Sequence, residues 1–127
     1  METPDGFSII ATLDQGLAGS HIDPLVNQLG VTLKEFADLL GVAERTLHRF
    51  RKATLLDRAI AERIVLMEAL VKHGLDVFDG DQPVFARWLR HALGELNQRP
   101  PLHWLTTATG IRLVDEVLTR IDYGIYV

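Results

Sequence analysis

The sequence predicts an all-α protein, on three observations. Apolar residues recur at spacings of three and four in several segments, as in Ile60, Ile64, Met67 and Val71, and in Ile111, Val114, Leu118 and Ile121. This is the repeat of an amphipathic helix. Glycines and prolines punctuate these segments where helices stop and start. No stretch alternates with period two over a useful length, so strands are not expected.

The chain has 127 residues, 47% hydrophobic and 24% charged, which suits one domain or two small helical lobes sharing a core. No apolar run reaches the roughly 18–20 residues that span a bilayer. The N-terminus lacks the charged-then-apolar pattern of a secretory signal, so a cytoplasmic setting without a membrane is expected. The absence of cysteine excludes disulfides and thiolate chemistry. A net charge of −4 at pH 7 has the wrong sign for a protein that coats nucleic acid, so any DNA contact must come from a local patch. Arg45, His48, Arg49, Arg51 and Lys52 form such a patch, with no acid among them. A solvated basic helix face would look the same.

Residues 1–23 read as an irregular arm, with Pro4, Gly6, Gly16 and Gly19 among scattered apolar residues. Pro24 suits the first turn of a short helix over 25–29, ended by Gly30. Thr32 and Glu35 form a capping box, and the helix that follows, with Phe36, Ala37 and Leu40 inward, stops at Gly41. The next helix covers 43–52, with Leu47 and Phe50 on its apolar side. A longer helix over 56–73 is capped by Asp57 and broken or ended by Gly74. Residues 78–81 form a turn, and Pro83 opens a helix to about residue 93. Positions 94–100 read as a polar loop and 101–105 as a short helix. Thr107 or Thr109 caps a last helix that Gly124 ends, leaving a short apolar tail at 125–127.

Residues 32–52 meet the needs of a helix-turn-helix. Ala37 is small where two helices cross, Gly41 stands where the turn favours positive φ, and Val42 plugs the corner. Leu47 and Phe50 complete the core beneath the second helix. Arg45, Thr46, His48, Arg49 and Lys52 would then face outward, with side chains able to contact base edges and phosphates from the major groove. Glu44 at the helix start opposes phosphate, and the same motif also serves for dimerisation or packing. A single motif binds weakly because affinity grows with the phosphates neutralised, so a DNA reader of this kind would be a homodimer or a larger assembly.

Catalysis has no support in the residues. The five histidines, His21, His48, His73, His91 and His103, show no pair at i, i+4 and no metal-ligand spacing with carboxylates. There is no glycine-rich phosphate loop, and neither Ser8 nor Ser20 sits in a nucleophile elbow. No cofactor is expected. Trp88 and Trp104 sit among apolar residues at helical spacing and read as core.

The second half carries an ordered set of short motifs. Val77-Phe78-Asp79-Gly80-Asp81 is followed by Ala86-Arg87-Trp88-Leu89, Arg99-Pro100-Pro101-Leu102 and Thr107-Ala108-Thr109-Gly110, then by Val114, Leu118, Arg120-Ile121 and Tyr123-Gly124. With Arg45-Thr46-Leu47-His48-Arg49 and Leu55 upstream, the chain over roughly 30–127 resembles the Xre/MbcA/ParS antitoxin family. It departs from that pattern at Leu93-Gly94-Glu95, where the family has Leu-Gly-Gly, and at Arg90, where the family has Pro after Trp-Leu. The resemblance implies an Xre-like helix-turn-helix lobe followed by a small helical toxin-binding lobe. The implied division is an arm at 1–23, the helix-turn-helix region at 24–74 and a toxin-binding domain at 75–127. It further implies a partner, a RES-domain toxin that consumes NAD or transfers ADP-ribose and whose cleft the antitoxin covers, together with repression of the shared operon through operator DNA.

One place in the residues agrees with that partner. Arg120, Asp122, Tyr123, Tyr126 and the carboxylate at Val127 gather around the end of the last helix. A site for NAD phosphates should be rich in cations, which Asp122 and a terminal carboxylate would pair, while the tyrosines fill an aromatic or ribose subsite. The alternative at this point is that the tyrosines pack on the body of the domain. The rival function is a stand-alone helix-turn-helix regulator whose C-terminal part dimerises or senses a ligand.

Overall fold

The structure, a computed structural model, describes residues 5–124. Its first helix, α1 (Gly6–Gln15), lies inside the segment expected to be irregular. Asp5 caps it, accepting from the Ser8 amide at 2.8 Å. The helix is hard to see in sequence because its apolar residues do not share a face. Leu13 is buried, whereas Phe7 is 85% exposed and Ile10 is 52% exposed. Arg58 pins the far end of α1, donating to Asp14 at 2.9 Å and to the Leu13 carbonyl.

The chain then joins the body of the protein through its backbone. The Gly19 amide donates to the Ala53 carbonyl at 2.9 Å, and the Leu56 amide donates to the Leu17 carbonyl at 2.8 Å. A 3-10 turn (Gly19–His21) leads into α2 (Ile22–Leu29). This helix therefore starts three residues before the expected 25, and Pro24 occupies its third position. Pro is tolerated there because the first turn has no intrahelical use for its amide.

The helix-turn-helix comprises α3 (Leu33–Leu40) and α4 (Glu44–Arg51). Both halves of the capping box form. Thr32 Oγ1 accepts from the Glu35 amide at 3.0 Å, and Glu35 Oε1 accepts from the Thr32 amide at 2.9 Å. Gly41 ends α3 at φ 73°, a left-handed conformation that a side chain would strain. Ala37 is buried at the crossing, and Phe36 and Leu47 are fully enclosed beneath it.

The spine is α5 (Arg58–Val77), capped by Asp57, which accepts from the Ala59 and Ile60 amides. Here one expectation fails. Gly74 neither breaks nor ends the helix, which runs on to Val77. The residue is small for a different reason: a Cβ at Gly74 would lie 2.1 Å from the ring of Phe85, which packs against the helix backbone at that point.

Asp81 caps α6 (Gln82–Leu89), accepting from the Val84 amide at 3.2 Å. This helix stops four residues short of the expected 93. Arg90 closes it, and its side chain is drawn back onto the helix-turn-helix. The loop at 94–100 folds on itself. The Leu93 amide donates to the Arg99 carbonyl, Asn97 and Gln98 both take positive φ, and Leu96 is buried as its anchor. Gly94–Leu96 forms a short 3-10 turn within this loop, and a further 3-10 segment (Pro101–Thr106) precedes α7 (Ala108–Asp122), which Thr107 caps by accepting from the Gly110 amide at 2.9 Å.

Among the described residues no strand forms beyond a single Leu93–Arg99 bridge. The core is one continuous cluster that runs from Leu25, Leu29 and Phe36 through Ile64 and Met67 to Phe85, Leu89, Leu105, Val114 and Leu118. Burial of aliphatic and aromatic side chains contributes on the order of 1.5–3 kcal/mol each, so the two lobes share their main source of stability. Trp88 lies against Phe78 and Phe85 at centroid distances of 5.7 and 6.3 Å. Trp104 donates its indole N–H to the Leu96 carbonyl at 3.1 Å.

Candidate functional site

Two surfaces carry the polar groups singled out in the sequence. The first is the outer face of α4. Arg45, His48, Arg49 and Lys52 are exposed there, and Thr46 is half-buried. The Arg49 guanidinium lies 6.0 Å from the Phe50 ring centroid, which steadies its stem against the helix. Glu44 is exposed in the first turn.

Arg51 belongs to the same basic run but is used internally. It forks onto Asp23 of α2, Nε to Oδ1 at 2.7 Å and Nη2 to Oδ2 at 3.0 Å. Its remaining amino group reaches His48 Nδ1 at 2.9 Å. The Arg51 fork holds the Asp23 carboxyl below its ordinary range, and the carboxylate in turn raises Arg51. Sequence could not show this pairing, because Asp23 lies 28 residues upstream on another helix.

The second surface is the end of α7. Asp122 and Tyr123 are exposed, and Tyr123 is 75% accessible where it closes the helix. Arg120 is half-buried, with its Nε enclosed and without a hydrogen-bond partner among the described residues. Tyr126 and Val127, expected to share this surface, lie outside the described residues. The two surfaces are separate: α4 carries one and the end of α7 the other.

Three long-range contacts, two of them between the lobes and one within the helix-turn-helix region, have no counterpart in the sequence reading. Arg90 donates to both Glu35 oxygens, at 2.9 and 3.0 Å, and to the Gly30 carbonyl at 2.9 Å. This fork, followed by the Thr32 amide, holds the Glu35 carboxyl down to about 2. Gln82 of α6 donates to the Asn27 and Gln28 carbonyls at the end of α2. Arg63 of α5 donates to the Leu39 and Leu40 carbonyls at the end of α3, and burial lowers its pKa. A cation there also meets the negative end of the helix dipole. Only Glu35 had a sequence signal, its capping role, and that role uses one oxygen while leaving lone pairs for Arg90.

Among the described residues no three His, Asp or Glu side chains are grouped so as to hold a metal ion. No helix among them is long and apolar enough to cross a membrane.

The fold and these surfaces define a helix-turn-helix protein with a second helical lobe fused through a common core. Residues 8–67 match the family model described as the antitoxin Xre-like helix-turn-helix domain, and residues 73–124 match the antitoxin Xre/MbcA/ParS C-terminal toxin-binding domain. The chain belongs to the Xre/MbcA/ParS antitoxin family and is an antitoxin of a toxin–antitoxin system. It is 25% identical over 116 residues to an antitoxin Xre of Photorhabdus laumondii subsp. laumondii, covering 91% of this chain and 78% of the relative. It is 23% identical over 122 residues to an antitoxin Xre of Yersinia enterocolitica, covering 95% and 82%. Its fold is similar to that of a chain in the crystal structure of the M. tuberculosis MbcT-MbcA toxin–antitoxin complex. That match has a TM-score of 0.66 at 16% identity and covers 86% of this chain and 96% of the other.

Proposed function

We propose that this antitoxin neutralises a RES-domain toxin, one that consumes NAD or transfers ADP-ribose, by laying the end of α7 into the toxin's active-site cleft. Tyr123 is the observation that carries this reading. A large aromatic residue stands in solvent at the close of α7, beside the exposed Asp122, within the region matched to a toxin-binding domain. Aromatic side chains at protein surfaces are favoured anchors for a partner's pocket. A carboxylate suits a cleft whose cations otherwise hold NAD phosphates. Arg120, Tyr126 and Val127 complete the proposed contact.

The same reading gives α4 the operator DNA of the antitoxin's own operon, through Arg45, Thr46, His48, Arg49 and Lys52. The helix has eight residues and neutralises few phosphates by itself. The reading therefore includes a homodimer within a larger toxin–antitoxin assembly.

Expression with the protein encoded beside it tests the first part. The neighbouring protein should co-purify with this chain, deplete cellular NAD when expressed alone, and leave NAD intact when the two are made together. A co-purifying toxin that leaves NAD unchanged when expressed alone would remove the RES assignment.

A further inference from the structure

We propose that Asp23 and Arg51 form a relay that fixes the His48 ring with its proton on Nε2, so that the recognition surface offers a defined donor at position 48 and selects an acceptor on a guanine edge. This inference rests on the proposed DNA-binding role of α4.

The chemistry follows from the three side chains. Arginine has five N–H donors and no acceptor. Arg51 Nη1 lies 2.9 Å from His48 Nδ1, so Nδ1 supplies the lone pair and the ring proton resides on Nε2. Arg51 is itself held from behind. Its Nε and Nη2 fork onto the two oxygens of Asp23, at 2.7 and 3.0 Å, the bidentate geometry that gives arginine–carboxylate pairs their directionality. The relay thus runs from α2 to α4 and uses all three guanidinium nitrogens. His48 is exposed, and its Nε2 has no partner among the described residues.

A free imidazole exchanges between two tautomers and can either donate or accept at the exposed nitrogen. The relay removes the accepting form. A donor fits guanine best in the major groove, because guanine presents two adjacent acceptors, N7 and O6, whereas adenine sets a donor beside its N7. Arg51 and Asp23 are therefore positioning residues, and Arg51 is withdrawn from the phosphate contacts that its place in a basic run suggests.

The test uses the full chain and a duplex carrying the sequence upstream of its own reading frame. Imidazole 15N–1H correlation spectra should show the Nε2–H tautomer of His48 in the wild type and tautomer exchange in Asp23→Ala. Replacing guanines one at a time by 7-deazaguanine, which lacks the N7 acceptor, should weaken wild-type binding about tenfold at one position per half-site. That position should become nearly silent for Asp23→Ala and His48→Ala. Arg51→Lys, which cannot fork to both partners, should behave as Asp23→Ala does.

Tautomer exchange in the wild type, or an unchanged base preference in Asp23→Ala, overturns the relay. A fall of about one in the salt-dependence slope for Arg51→Ala would make Arg51 a phosphate contact and overturn it as well. Failure of the wild type to bind the duplex, alone and with its partner, would remove the DNA reading and with it the specificity role, even with the tautomer fixed.

Discussion

Arg90, at the end of α6, donates to both carboxylate oxygens of Glu35 at 2.9 and 3.0 Å. Glu35 is at the same time the capping-box residue of α3. One carboxylate therefore starts the first helix of the helix-turn-helix and anchors the C-terminal lobe to it.

Removing Arg90 leaves Glu35 its cap but takes away its main charge partner. The two side chains are 46% and 36% exposed, so solvent screens the pair, and Arg90→Ala should cost only about 1 kcal/mol at neutral pH. The folded carboxyl sits at about 2, below its ordinary value of 4.5. A depressed acid stabilises the fold above its unfolded pKa and loses that contribution as pH falls through the folded one. The difference between wild type and Arg90→Ala in urea denaturation should therefore shrink steadily between about pH 4.5 and 2.

Gly74→Ala sets two effects against each other. Alanine is the better helix former by about 1 kcal/mol. Its Cβ, however, would lie 2.1 Å from a Phe85 ring that is fully buried and has little room to retreat. Overpacking of this kind costs about 1–3 kcal/mol, so the substitution should lower the thermal midpoint. Phe85→Leu made in the Gly74→Ala background should recover part of that loss, which a double-mutant cycle would read as coupling.

Arg45 and Arg49 are exposed on α4 and form no ion pair with another element among the described residues. Replacing both with Ala should leave the unfolding free energy within about 0.5 kcal/mol of wild type. It should also abolish binding to upstream DNA in a mobility-shift assay while toxin neutralisation persists. Loss of both activities in a folded double variant would mean that the two surfaces do not work independently.

The parts of the fold that were legible in the sequence are those specified locally. Thr32, Glu35 and Gly41 lie within ten residues of one another, and each acts on its own helix. The helices of the second lobe were legible because Ile111, Val114 and Leu118 face one core. Long-range relationships were not. Phe7 and Ile10 point outward, so α1 shows no single apolar face. Gly74 looked like a stop because its real constraint, Phe85, lies eleven residues on across a turn. Arg51 read only as one member of a basic patch because nothing near it in sequence reveals Asp23. At the candidate toxin-binding surface, sequence grouped Arg120 with Asp122 and Tyr123. In the fold Arg120 is half-buried and the other two are exposed.

In the proposed complex the end of α7 inhibits the toxin. A chain ending at Asp122 keeps every buried residue of α7, including Ile111, Val114, Val117 and Leu118, and should fold with nearly unchanged stability. The decisive measurement is inhibition of NAD consumption by the co-encoded toxin, titrated with the full chain and with this shortened one. The intact antitoxin should inhibit fully, and truncation should lower potency at least tenfold. Equal potency of the two chains would contradict the proposed role of α7.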